Sequence, residues 1–221
     1  MTNETFTPGR KSPTGRPGLT NHAPRDRRAM VTASAVAVAL WLAACTSTIA
    51  SYAGASTSPP NRPALLPRKV VLSLSAVRRY FPEVTVVARS GDNETATGNP
   101  SATRSVMFTS ADGTKKVTIS VDRYAGSAGA RSAFQEAVAK SEAVTGFKPL
   151  QVPNLGDKTF AGTVTQGSET HVGLGVLAGD LSIGATLAGF SADSENVGNL
   201  VSLAREEVAN ATSVIGNGAV P

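Results

Sequence analysis

Between residues 83 and 215 the period of the apolar residues changes twice in the same order. Three runs alternate every second residue, and a fourth repeats at helical spacing. The first three runs cover 83–89, 104–109 and 115–124. In the third, Val117, Ile119 and Val121 share one face while Thr118, Ser120 and Asp122 share the other, because successive side chains on a strand point to opposite sides. That alternation marks a half-buried sheet. Asp112-Gly113, between the second and third runs, is a hairpin signal. Ser127 is placed to cap a helix to about Val144, with Gly146 as its stop and Ala130, Phe134, Ala137, Val138 and Ser141 as its inner stripe.

The second half repeats this grammar. Strands are expected over 158–166, 170–177 and 181–190, followed by a helix that starts at Asp193 or Ser194 and runs to about Val214. Val197, Leu200, Val201, Ala204, Val208, Ala211 and Ile215 form its stripe. A short helix at 75–81, with Ser75 as N-cap, precedes everything and is stopped by Pro82. The stretch 90–103, polar and punctuated by Gly91, Gly98 and Pro100, reads as a surface loop. The sum is an α+β fold: an antiparallel sheet of about six strands with two long helices packed on it, strand-strand-strand-helix occurring twice, plus the short N-terminal helix. Residues 172–190 are almost wholly apolar, but Asp180 and five glycines interrupt them, so two strands and a turn are expected rather than a membrane span. Gly173, Gly175 and Gly179 lack the strand-turn-helix setting of a dinucleotide loop.

Upstream of the domain, Arg25, Arg27 and Arg28 precede an apolar run over 29–42, which ends in Leu42-Ala43-Ala44-Cys45. Charge, then apolar residues, then small residues is the signature of an export signal. Leu42 to Cys45 resembles the lipobox of bacterial lipoproteins at all four positions. The resemblance implies cleavage between Ala44 and Cys45, a diacylglyceryl thioether on Cys45, and a further acyl group such as palmitate on the new N-terminus. Two or three acyl chains anchor firmly where one holds only marginally. Arg27 and Arg28, followed by Ala29, Met30 and Val31, fit the core of a twin-arginine signal, so export by either the general or the twin-arginine route is expected. The alternative is an uncleaved signal anchor, for which the apolar run is at the short end. The expected organisation is a disordered basic segment at 1–24, a signal peptide at 25–44, a Ser/Thr/Pro-rich tether at 45–67, one α+β domain at 68–216 and a flexible tail at 217–221. The domain would sit at the outer face of the cytoplasmic membrane, held through the lipid on Cys45.

Charge excludes one class of partner. The formal charge is +5, but residues 1–44 hold six Lys or Arg against two acids, while the remainder holds fifteen against fourteen. The basic excess lies in the leader, where the positive-inside bias puts it. A nucleic-acid partner would need a basic patch on the domain, so none is expected. Cys45 is the only cysteine, which rules out a disulfide within the chain and a Cys-His zinc site. No metal or cofactor is expected.

No catalytic constellation emerges either. His171, the only histidine after residue 44, has Ser168 and Asp180 near it in sequence, but no Gly-x-Ser-x-Gly elbow surrounds a serine. His171 is therefore expected as a solvated rim residue. Glu206 with Glu207, and Lys115 with Lys116, diverge as chain neighbours and read as solvated faces. Residues 91–94 lack the ligand spacing of a calcium loop.

Val152-Pro-Asn-Leu-Gly-Asp-Lys-Thr-Phe160 resembles the V-P-x-L-G-D-x-A-F segment of small actinobacterial surface lipoproteins and of the extracellular sensor domains of mycobacterial Ser/Thr kinases. Those domains place an A-x-x-A-F helix before it, as in Ala130 to Phe134, and end on a Leu-Ala helix, as at Leu203-Ala204. The resemblance spans roughly residues 70–215. It implies a non-catalytic domain that binds an envelope lipid, a glycan or a protein partner; a purely structural or adhesive protein and a small envelope hydrolase are the alternatives. The paired cysteines of the kinase domains have no counterpart here. On physical grounds alone the segment is a tight turn, with Pro153 setting one dihedral angle and Gly156 taking an awkward one. An apolar ligand would sit between helix and sheet, against the small residues of 172–189.

Overall fold

A computed structural model describes residues 65–94 and 100–217. Arg27, Arg28, Leu42, Ala43, Ala44 and Cys45 lie outside the described residues, as do the segments expected as leader and most of the tether. A 3-10 turn at Arg68–Val70 leads into α1 (Leu74–Val77). Three strands follow, β1 (Val84–Glu94), β2 (Ala102–Ser110) and β3 (Lys116–Arg123), and then α2 (Ser127–Glu142). After β4 (Phe147–Pro149) come β5 (Lys158–Gln166), β6 (Glu169–Ala178), β7 (Leu181–Ala188) and α3 (Ser194–Asn217). One seven-stranded sheet results, in the order β1-β2-β3-β7-β6-β5-β4, with every neighbour antiparallel. Its two halves join where β3 pairs β7, from Lys116 opposite Ala188 to Arg123 opposite Leu181.

Alternation divides the sheet into two faces. Val106, Ile119, Ala185 and Leu174 stand in register across β2, β3, β7 and β6 and belong to the main core, which α3 covers with Leu200, Leu203, Ala204 and Ala211. Leu66, Val70 and Val77 close that core from the N-terminal side. Leu177 and Phe160 have the opposite parity. They meet α2 through Phe134 and Ala130, with Tyr124, in a smaller cluster on the other face. Residues 172–190 form β6, a turn and β7, as expected from Asp180 and the glycines.

The sheet has a seventh strand because β4, only three residues long, pairs with β5 through Phe147 opposite Val164. Residues 90–94, expected in a loop, instead extend β1: Ser90 to Glu94 pair with Val106 to Ala102, and the Arg104 guanidinium donates to the Asp92 carboxylate. That pairing neutralises a charge which the sequence had suggested was solvated. The polar face of β3 is also buried rather than half-exposed. Thr118, Ser120 and Asp122 lie on a strand between β2 and β7, and Thr103 Oγ1 donates to Asp122 Oδ1 at 2.7 Å.

Two of the three caps differ by one or two residues from expectation, and the start of α3 at Asp193 and Ser194 agrees with it. α1 starts after Ser73, not Ser75, because the Ser73 hydroxyl is the one that reaches the Ala76 N–H. Gly126 occupies the N-cap position of α2, its carbonyl accepting the Ala130 N–H at 3.1 Å, which puts Ser127 inside the helix. Asp193 caps α3, with Oδ1 accepting the Asn196 N–H at 2.8 Å. Among the described residues no helix is long and apolar enough to cross a membrane.

Candidate functional site

The segment 150–157, between β4 and β5, is folded onto β6 by its own short polar residues. The Asp157 N–H donates to the Leu177 carbonyl at 2.7 Å, and Asp157 Oδ2 accepts the Gly179 N–H at 2.8 Å. Gly179 has φ of 62° in the β6–β7 turn, so the carboxylate of Asp157 secures a turn that only glycine takes freely. Asn154 and Thr159 lock the other end: Thr159 Oγ1 donates to Asn154 Oδ1 and accepts the Leu155 N–H.

Gly156 is required for space and not, as expected, for an awkward dihedral. A Cβ there would stand 2.5 Å from the Leu177 carbonyl oxygen, which is backbone. Gly156→Ala is expected to lower stability by about 2 kcal/mol, since overpacking a close contact typically costs 1–3. Thermal unfolding checks this, and an unchanged midpoint would show that the segment is not pressed onto β6.

Held in this way, the segment stands away from α2 and leaves a cavity of about 570 Å³. Phe134, Val138 and Ala139 of α2 form one apolar wall, with Val152 and Phe160 opposite. Phe160 is held flat by Phe147, the two rings stacking 5.5 Å apart and 9° from parallel. Phe147 in turn lies on Gly162, where a Cβ would be 2.2 Å from its ring. Polar groups ring the mouth: Gln135 and Glu142 from α2, Asn154, Asp157, Lys158 and Thr159 from the other side. An apolar interior of this size with a few polar groups at the edge is the usual make-up of a small-molecule site. The A-x-x-A-F helix and the V-P-x-L-G-D-x-A-F segment thus face one another, contributing Phe134 to one wall and Val152 and Phe160 to the other. No residue of 172–189 lines the cavity, since α2 and the segment stand between those strands and the opening.

A buried polar group lies under α3, on the opposite face of the sheet from the cavity. Glu207 was expected on a solvated face, yet it is wholly buried. Its Oε2 accepts the Leu72 N–H at 2.9 Å, and its Oε1 has no partner among the described residues. Burial, reinforced by the neighbouring Glu206 charge, pushes its pKa up to about 8 against an opposing pull from the Leu72 N–H. Glu206 is not free in solvent either. It accepts from the Arg79 guanidinium and from the Tyr80 hydroxyl, and Arg79 holds it below the usual carboxylate range. Asn210 donates to the carbonyls of Lys69 and Val70. Positions 206, 207 and 210 of α3 therefore clasp the N-terminal residues 69–80.

The imagined hydrolase residues are not brought together. Ser168 lies just before β6 and Asp180 just after it, so about 30 Å of strand separates their backbones at some 3.4 Å per residue. Asp180 is paired with Arg123 Nε at 3.2 Å. His171 is half-buried rather than solvated, with Nε2 3.8 Å from Glu169 Oε2. Lys115 and Lys116 diverge as expected, but the Lys115 ammonium also bonds Glu83 at 2.7 Å and lies 5.1 Å above the Phe190 ring. Among the described residues no group of three or more His, Cys, Asp or Glu is arranged to hold a metal ion.

Fold and cavity together define an α+β domain with a helix-roofed, ligand-sized cavity on one face of an antiparallel sheet. The architecture is similar to the crystal structure of the extracellular domain of PknH from Mycobacterium tuberculosis, with a TM-score of 0.51 over 63% of this chain and 93% of that one, at 11% sequence identity. At that identity the likeness is one of fold. No family model matches the chain, and no curated protein matches it by sequence.

Proposed function

We infer that this chain is an exported lipoprotein of the cell envelope, anchored through lipid on Cys45, whose domain binds an envelope ligand or partner without chemistry. The cavity between α2 and the 150–160 segment carries the binding reading. It is apolar inside and of ligand size, and its walls are the two segments that resemble actinobacterial surface lipoproteins and kinase sensor domains. The fold's likeness to an extracellular domain supports a place outside the cytoplasm. Leu42-Ala43-Ala44-Cys45 supports the anchor, and Arg27-Arg28 supports export by the twin-arginine or the general route. The separation of Ser168 from Asp180 by the length of β6 speaks against the hydrolase alternative.

Intact-mass analysis of membrane fractions tests the anchor. The wild-type chain is expected to begin at Cys45 and carry acyl mass, whereas Cys45→Ala is expected to lose the acyl mass and remain unprocessed. A full-length, unmodified wild-type chain would overturn the lipoprotein reading and leave residues 1–24 as a tail on a signal anchor.

A further inference from the structure

The polar groups at the cavity mouth differ in whether the fold already occupies them, and the difference specifies a ligand head group. This inference rests on the reading of the cavity as a binding site. Asn154 and Thr159 bond to one another within their turn, and Asp157 holds Gly179. The side chains of Gln135, Glu142 and Lys158 have no hydrogen-bond or ion-pair partner among the described residues; the neighbouring Lys140 pairs with Glu136 instead. Gln135 and Glu142 are seven residues apart on α2, two turns along one face. Lys158 begins β5 on the facing wall. The mouth therefore presents a carboxylate on one side and an ammonium on the other, their side chains bonded neither to each other nor to any other described residue.

An apolar occupant with a single charge meets one of these groups well and the other badly. An alkyl carboxylate satisfies Lys158 but brings its negative charge toward Glu142 and Asp157. An alkyl ammonium does the reverse. A head carrying both signs satisfies both walls at once. We propose that the cavity takes a single-tailed zwitterionic amphiphile, with its apolar tail along Val138, Val152 and Phe160, its cationic end toward Glu142 and its anionic end toward Lys158. A membrane lysophospholipid and a free zwitterionic surfactant share this chemistry.

The test uses the full chain kept soluble in an amphipathic polymer, titrated calorimetrically with four probes of matched tail length. These are a lysophosphatidylethanolamine, an alkyl carboxylate, an alkyl ammonium and an uncharged alkyl glycoside, each below its micelle concentration. The zwitterion is expected to bind tightest. Glu142→Gln and Lys158→Met are each expected to weaken it by about three- to fivefold, the scale of an exposed charge pair, and to leave the alkyl glycoside unchanged. Both residues are exposed, so neither variant threatens folding. Equal binding of all four probes, or tighter binding of a singly charged one, overturns the head-group assignment and leaves the cavity reading standing. Failure of every probe to bind overturns both, as does binding that survives filling of the cavity by Val138→Trp. Supplying the lysophosphatidylethanolamine within phosphatidylcholine vesicles is expected to leave the order of the probes unchanged; binding that appears only from vesicles overturns capture of the monomer.

Discussion

Replacing Glu207 by glutamine is expected to abolish a fall in stability of roughly 3–4 kcal/mol that the wild-type domain shows between pH 5 and pH 8. The folded carboxyl titrates near 8 and the unfolded one at its ordinary 4.5. Below 4.5 both states hold the proton, and Glu207 imposes no penalty. As pH rises from 4.5 to 8 the unfolded chain releases its proton while the folded chain keeps it, so the unfolded state binds fewer protons and stability falls. Above about 8 the penalty is complete. Glu83, Asp112, Asp193 and Glu206 act with the opposite sign, because their partners hold their folded pKa values below normal. Their contribution is present at neutral pH and is lost only as pH drops through the acid range, outside the window where Glu207 acts. Glutamine keeps an acceptor for the Leu72 N–H and carries no charge at any of these pH values. Urea unfolding at pH 5, 6, 7 and 8 should give a declining stability for the wild type and a level one for Glu207→Gln. A wild type equally stable at pH 5 and 8 would sink the idea.

Glu207 also shows where sequence reading reaches its limit. The stripe of α3 was legible because Leu200, Val201, Ala204, Val208 and Ala211 repeat at helical spacing. Positions 203 and 207 belong to that same face, however, and both are wholly buried. A carboxylate on an apolar face carries a visible signal in its spacing, three residues after Ala204 and four before Ala211. Its pairing with Glu206 instead made it read as part of a charged surface. Only the Leu72 N–H, which comes from 135 residues away, explains how the carboxylate is accommodated.

Long-range pairing accounts for the other differences. The six longer strands announce themselves by period two, but β4 has three residues, one of them proline, and no periodicity can show in so short a run. It exists because Phe147 finds Phe160 and the flat surface of Gly162. The outer half of β1 reads as loop from Ser90, Gly91, Asp92 and Asn93, and is drawn into the sheet by β2 and the Arg104–Asp92 pair. The cavity needed both kinds of information. Each wall could be singled out by its residues, Ala130 to Phe134 as a helix and Val152 to Phe160 as a turn. That a cavity is left beside them depends on how Asp157 and Gly156 bind the turn to β6, which is a matter of register and not of composition.

The close approach of Gly189 to the β2–β3 hairpin carries the second large effect. Gly189 follows β7 with φ of 75°, and a Cβ there would lie 2.0 Å from the carbonyl oxygen of Thr114 and 3.0 Å from its carbon. Both atoms are backbone, so no rotamer change relieves the clash. The left-handed conformation costs a non-glycine residue about 1–2 kcal/mol, and forcing the two segments apart adds about 1–3. Gly189→Ala is therefore expected to lose about 3 kcal/mol. The displacement would also reach the core, since Phe190 packs edge-on against Phe81 with centroids 5.1 Å apart and takes the Lys115 ammonium above its ring. Two glycines separate the causes. Gly113 has φ of 73° and nothing within 4 Å of an added Cβ, so Gly113→Ala should show the conformational cost alone. Gly198, inside α3 and equally open, should gain about 0.5–1 kcal/mol on replacement by alanine, because glycine within a helix surrenders more chain entropy on folding. Equilibrium unfolding of the three variants is expected to rank Gly198→Ala above the wild type, Gly113→Ala below it and Gly189→Ala lowest. If Gly189→Ala loses no more than Gly113→Ala, the hairpin yields freely at Thr114, and the join between the two halves of the sheet is looser than the contact at Gly189 implies.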